Sequence, residues 1–171
     1  EEDGRAPYFV LSWPHGAPPA TADYSLTQFE VYPMMAEDSA PPRSGPYLYR
    51  AWAPFWDVAV VAHRRSADEH IKLMRITPDG GISEAVVDDD ELAIRIPFSF
   101  TEDDLFVVGL ALDTSAGGQV QVPHPKLAEM PDLPPSPILM VATSDAKLRL
   151  FTFACTKDHR SVVSPPQELH R

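Results

Sequence analysis

A chain of 171 residues suits one ordinary domain or a sizeable part of a larger one, and its 44% apolar content supplies a core and argues against wholesale disorder. Nineteen prolines spread along the chain argue against helices, where each costs ~3 kcal/mol, and favour short strands joined by Pro-rich loops. The net charge of −11 disfavours direct binding to nucleic acid or to an anionic membrane and favours a basic protein partner.

No apolar run reaches the ~18 residues of a membrane helix, and Glu1-Glu2-Asp3 is not expected to open a signal peptide. Cys155 is the only cysteine, so an internal disulfide is impossible and a reducing compartment is expected. The sequence has no asparagine, which excludes N-glycosylation.

Residues 8–13 (Tyr-Phe-Val-Leu-Ser-Trp) read as a strand closed by Pro14, and residues 26–35 alternate well enough for a second. After a Pro-rich loop over 41–46, residues 47–52 lead into the next unit. Residues 55–63 (Phe-Trp-Asp-Val-Ala-Val-Val-Ala-His) form the second strong strand. Their apolar run 58–62 implies a position covered on both faces. The Trp56-Asp57 pair resembles the repeat signature of WD40 propellers, but it occurs once and without its Gly-His partner. Residues 71–76 and 82–87 predict a hairpin about the turn Thr77-Pro78-Asp79-Gly80-Gly81, where proline presets φ and glycine accepts positive φ.

An acidic loop, Asp88-Asp89-Asp90-Glu91, precedes a short predicted strand over 92–97, a loop over 98–104 and an apolar strand over 105–112. Residues 119–123 alternate, and a proline-punctuated connection follows to Pro135. The strongest hairpin spans 136–155. It joins an apolar run (138–142), a polar turn (143–146) and a strictly alternating strand. In that strand Leu148, Leu150 and Phe153 are expected to face one layer, with Lys147, Arg149 and Thr152 mostly on the other. Strong strands start at Phe55, Leu105 and Ile138, separations compatible with blade repeats of roughly 40 to 50 residues. The expected fold is all-β, a β-propeller in preference to a sandwich, with blades over 1–155 and a tail over 156–171.

Four stretches, in order, resemble the C-terminal part of the N-terminal propeller of the nucleoporin-214 (CAN) and nucleoporin-159 family. They are 8–13; Pro54-Phe55-Trp56-Asp57-Val58-Ala59-Val60; Ile96-Pro97 with Glu102-Asp103-Asp104 and Gly109-Leu110-Ala111-Leu112-Asp113; and Leu133-Pro134-Pro135-Ser136-Pro137-Ile138-Leu139-Met140-Val141 with Ser144-Asp145. The last is the most specific. Two positions depart from the animal pattern: the glycine after Asp145 is Ala146, and an arginine before Leu-Pro aligns with Ala93, so no contact of that arginine carries over.

The resemblance implies a partial ring, the C-terminal three to four blades of seven. It also implies a non-enzymatic adaptor at the cytoplasmic face of the nuclear pore complex, among other nucleoporins. Its partner would be the RecA-like N-terminal domain of a DEAD-box RNA helicase, bound in competition with RNA during messenger RNA export. The expected contact residues are Glu102, Asp103 and Asp104, with Pro97 and Phe98 as the apolar part, since an apolar anchor with a charged rim concentrates interface energy. The bland alternative for these residues is a solvated loop. Different classes remain as alternatives: a generic WD40-like scaffold for another partner, or a propeller hydrolase.

No cofactor is expected. The histidines His15, His63, His70, His124, His159 and His170 show no metal-ligand spacing. No Gly-x-Ser-x-Gly elbow or Gly-rich phosphate loop occurs. Trp56 and Asp57 read as structural, the ring filling space between blades and the carboxylate capping a turn. Asp113 reads as a turn cap, and Cys155 as a small buried hydrophobe.

Overall fold

The computed structural model describes residues 7–14, 16, 20, 23–30, 42–67, 69–77, 81–87, 89–115, 122–125 and 129–164. Among them the fold is all-β, three antiparallel sheets following one another along the chain with two short 3-10 turns and no α-helix. Strands β1 (Pro7–Ser12) and β2 (Ser25–Glu30) pair as a hairpin with Val10 opposite Thr27. A four-stranded meander follows: β3 (Leu48–Ala53), β4 (Val58–His63), β5 (Lys72–Ile76) and β6 (Ile82–Ala85). The third sheet is β7 (Val107–Asp113), β8 (Ile138–Thr143) and β9 (Leu148–Thr152), also in sequence order. Consecutive antiparallel meanders with no closed barrel are consistent with a part of a propeller.

The main core lies between the second and third sheets. Ala51, Val60 and Ala62 supply one side and Val107, Leu139 and Val141 the other, with Ile96 and Leu105 entering from the connecting segment. Val60, Val107, Leu139 and Val141 are fully buried, and each such side chain contributes about 1.5–3 kcal/mol of transfer free energy. The opposite face of the second sheet buries a smaller cluster, Ala59, Val61 and Met74. Apolar runs in β4 and β8 thus reflect different demands. β4 is buried on both faces, whereas in β8 burial alternates.

Three expectations are corrected. Phe55 and Trp56 do not begin a strand: Pro54–Trp56 is a 3-10 turn, and Asp57 ends it in the left-handed region (φ 53°), so β4 starts at Val58. Residues 92–97 form no strand. Asp90–Leu92 is a second 3-10 turn, Pro97 has no donor, and the segment buries Ile96 while running past Phe151 and Thr152 without joining their ladder. In β9 the expected grouping is redrawn: Leu148 and Leu150, each 62% exposed, share the open face with Thr152, while Arg149, Phe151 and Phe153 are the sheltered side chains. The hairpin turn decides this, because it captures Arg149. The predicted continuation of β2 through Met35, the turn tip 78–80 and residues 119–121 lie outside the described residues. The flanks of that tip close as expected, Thr77 donating its backbone N–H (2.9 Å) and hydroxyl (3.1 Å) to the Gly81 carbonyl.

Buried His63 ends β4. Its Nδ1 accepts the Arg65 backbone N–H at 3.2 Å and its ring stacks on Tyr47, while the Arg64 guanidinium lies 3.9 Å above the same Tyr47 ring. Burial, then the Arg65 and Arg64 charges, lowers the His63 pKa to about 4. The unfolded chain therefore takes up this proton first as the pH falls. The contribution is complete above about 6.5 and is lost progressively towards pH 4, at most about 3 kcal/mol. Denaturant unfolding at pH 7.5 and 4.5 tests this: His63→Gln should flatten the dependence in that window. A slope unchanged by the substitution would contradict it.

Candidate partner-binding site

The predicted contact residues Pro97, Phe98, Glu102, Asp103 and Asp104 all lie on one loop whose two ends are rooted in the core. Ile96 is buried on entry and Leu105, Phe106 and Val107 on exit. The exit is fixed twice more. Buried His70 donates Nε2–H to the Leu105 carbonyl at 2.8 Å, which sets its tautomer. Phe106 donates its N–H to Ser144 Oγ (3.0 Å) and accepts the Ser144 N–H (2.9 Å), tying the loop to the β8–β9 turn.

Within the loop Ser99 organises a tight turn. Its Oγ accepts the N–H groups of Thr101 (3.2 Å) and Asp103 (2.9 Å), its N–H reaches the Asp103 carbonyl (2.9 Å), and its carbonyl accepts from Glu102 (3.1 Å). Thr101 donates its hydroxyl to Asp103 Oδ2 at 2.5 Å. This is Ser/Thr turn chemistry, side chains standing in for a ladder the sequence cannot form here. Closing the turn places Glu102 in the left-handed region (φ 62°).

The turn displays aromatic and acidic groups together. Phe98 is 68% exposed and Phe100 is fully exposed; Pro97, Glu102 and Asp103 are exposed as well, whereas Asp104 is half-buried. Phe100 was missed by sequence reasoning. Its signal was present in the Phe-Ser-Phe alternation over 98–100, too short for a strand and inside a loop. Asp104 stands at a neighbouring cavity of about 490 Å³, lined also by Pro42, Phe106, Val108, Ser144 and Ala146. The site can therefore offer apolar rings, two exposed carboxylates and an adjoining recess. Among the described residues no group of three His, Cys, Asp or Glu is placed to hold a metal ion.

The turn beneath the loop is set by Asp145. Its carboxylate takes Arg149 in a two-pronged pair (3.0 and 3.1 Å), the Thr143 hydroxyl at 2.6 Å and Lys147 at 3.2 Å. These donors, the Arg149 guanidinium first and then Thr143, hold the Asp145 carboxyl well below the usual carboxylate range. Buried Thr143 also receives a hydrogen bond from Arg149. Two structural readings hold at the end of the third sheet remote from the loop. Asp113 Oδ1 accepts the N–H and hydroxyl of Ser115, both at 2.7 Å, as a turn cap. Trp56 lies against Phe55 and Phe153, beside β4 and β9 respectively, and donates Nε1–H to Asp158 Oδ2 at 2.9 Å. The carboxylate role expected of Asp57 is not what closes its turn; its backbone N–H does, to the Pro54 carbonyl.

No protein-family model matches the chain. Over 169 residues it is 27% identical to the nuclear pore complex protein Nup214 of Drosophila melanogaster. The match takes in 96% of this chain but only 9% of Nup214. The likeness is distant, and it is to a nucleoporin.

Ala146, where the resemblance led to a glycine, has φ 59°. The left-handed region costs a residue with a Cβ about 1–2 kcal/mol, partly offset by the greater freedom of an unfolded glycine. Ala146→Gly should therefore raise the melting temperature, by about 0.5–1 kcal/mol of stability. A lower melting temperature in calorimetry would contradict the strained turn.

Proposed function

We propose that this chain is a non-catalytic adaptor of the nuclear pore complex, acting at its cytoplasmic face in messenger RNA export. In this reading the three sheets are blades of a seven-bladed ring, held among other nucleoporins. Residues 97–104 dock the RecA-like N-terminal domain of a DEAD-box RNA helicase. No cofactor takes part, and neither nucleic acid nor membrane is bound directly.

The observation that carries the proposal is the pairing of exposed Phe98 and Phe100 with Glu102 and Asp103 on a loop anchored at both ends. Exposed aromatic side chains beside charges are what binding hot spots are made of, the rings supplying desolvated contact and the charges orientation. An RNA-binding surface is cationic, so carboxylates presented to it compete with phosphates for the same basic groups. A near-surface pair at 4 Å is worth ~4 kcal/mol at an effective dielectric of 20 before desolvation, and acts chiefly on association rate and specificity. The distant likeness to Nup214 supports the pore assignment.

The test is titration of the chain against a DEAD-box export helicase at about 50 and about 300 mM salt, with circular dichroism to monitor folding. Binding should weaken with salt. Asp103→Arg with Asp104→Arg should weaken it tenfold or more, about 1.4 kcal/mol, as should Phe98→Ala with Phe100→Ala. All the replaced side chains but Asp104 are exposed, so the fold should survive. Affinity unchanged by both double substitutions in folded protein would sink the proposal.

A further inference from the structure

Thr101 is exposed and is followed at the next three positions by Glu102, Asp103 and Asp104, a spacing that no other serine or threonine of the sequence has. Ser66 comes nearest, with Asp68 and Glu69 after it, but Ser66 is buried. The Thr101 hydroxyl lies 3.0 Å from Ser99 Oγ and donates to Asp103 Oδ2 at 2.5 Å. The side-chain bonds that close this turn are all exposed, and no residue of 97–104 belongs to a strand. Such a segment opens locally at low cost while the core on either side of it stays shut.

We infer that Thr101 is a phosphate-acceptor site for a Ser/Thr kinase that reads acidic residues on the C-terminal side of its target, and that the phosphate opens the turn. The three carboxylates match a cationic substrate groove by charge, and local opening lets the segment extend into it. In the transfer Thr101 Oγ1 attacks the γ-phosphorus of ATP. The new O–P bond replaces the bond to the β,γ-bridging oxygen, ADP leaves, and the hydroxyl proton passes to the kinase's catalytic aspartate. The product carries about −1.5 to −2 charge near pH 7 and has lost the proton that Thr101 donates to Asp103. The Asp103 carboxylate then faces an anion where it had a donor, and the two repel. Ser99 holds the N–H and carbonyl of Asp103, so displacing Asp103 undoes the turn. The site follows from the loop's own geometry. Its consequence for docking rests on the helicase reading, since an open turn would separate Phe98 and Phe100 from Glu102 and Asp103.

The test is incubation of the whole folded chain with casein kinase 2, an acidic-directed kinase, and magnesium ATP, with the product mapped by mass spectrometry. Phosphate should appear on Thr101. Asp104→Asn, which keeps the shape and removes the charge, should slow the transfer about tenfold. In NMR spectra of the modified chain the amide resonances of Ser99, Glu102 and Asp103 should move to random-coil positions, while those of Phe106 and Ser144 stay. The displacement should grow through the second phosphate ionisation, at about pH 6. Neither readout uses a helicase, so failure of the docking proposal would leave both standing. No phosphate on Thr101 of the folded chain would overturn the inference. So would transfer to Ser99 in its place, undiminished transfer to the Asp104→Asn chain, or turn resonances that stay where they were once Thr101 is modified.

Discussion

Burial of one face of the β3–β6 sheet against one face of the β7–β9 sheet is the constraint on which the molecule depends. Both ends of the 97–104 loop are sunk in that core, Ile96 at one and Leu105 to Val107 at the other. A loop so anchored cannot fold its aromatic side chains inward without withdrawing buried ones. Phe98 and Phe100 consequently remain outside, exposed beside the acids. The exposure belongs to the architecture and not to slack in the loop, which is internally bonded through Ser99.

Two polar devices fix the third sheet, one within its hairpin turn and one reaching across from the second sheet. Asp145 gathers Thr143, Lys147 and Arg149 beneath the β8–β9 turn, and the turn in turn holds Phe106 through Ser144. On the other side Trp56 touches Phe153 and bonds Asp158, whose carboxyl is held well below its usual range by Arg160 and by Trp56. Asp158 and Ser164, which bonds the Thr114 carbonyl at 2.9 Å, bring the stretch after the last strand onto the sheets. Charged pairs this close to the surface contribute little singly, but they fix geometry where backbone ladders stop.

Much of the fold was legible in the residues. Prolines and alternation gave all-β; the apolar run 58–62 gave a covered strand; the Pro-Asp-Gly signal over 78–80 between alternating runs gave the β5–β6 hairpin. The failures have physical causes. Alternation in β9 grouped Arg149 with Lys147 and Thr152 and Phe153 with the leucines, whereas Arg149 is drawn under the turn by Asp145, a tertiary pull that periodicity cannot see. Residues 92–97 alternate like a strand and bury Ile96, yet without a paired neighbour the pattern yields an extended wall. At the site, the acids were legible as a cluster and Phe98 as their neighbour, but the full exposure of Phe100 depends on how Ser99 closes the turn.

The most direct test of the central claim is competition on the helicase itself. Fluorescence anisotropy of labelled single-stranded RNA bound to a DEAD-box export helicase should fall to the free value as the chain is added, with a midpoint that rises in proportion to RNA. A stable ternary complex of helicase, RNA and chain would contradict the account, because the loop's carboxylates would then not occupy the phosphate-binding surface.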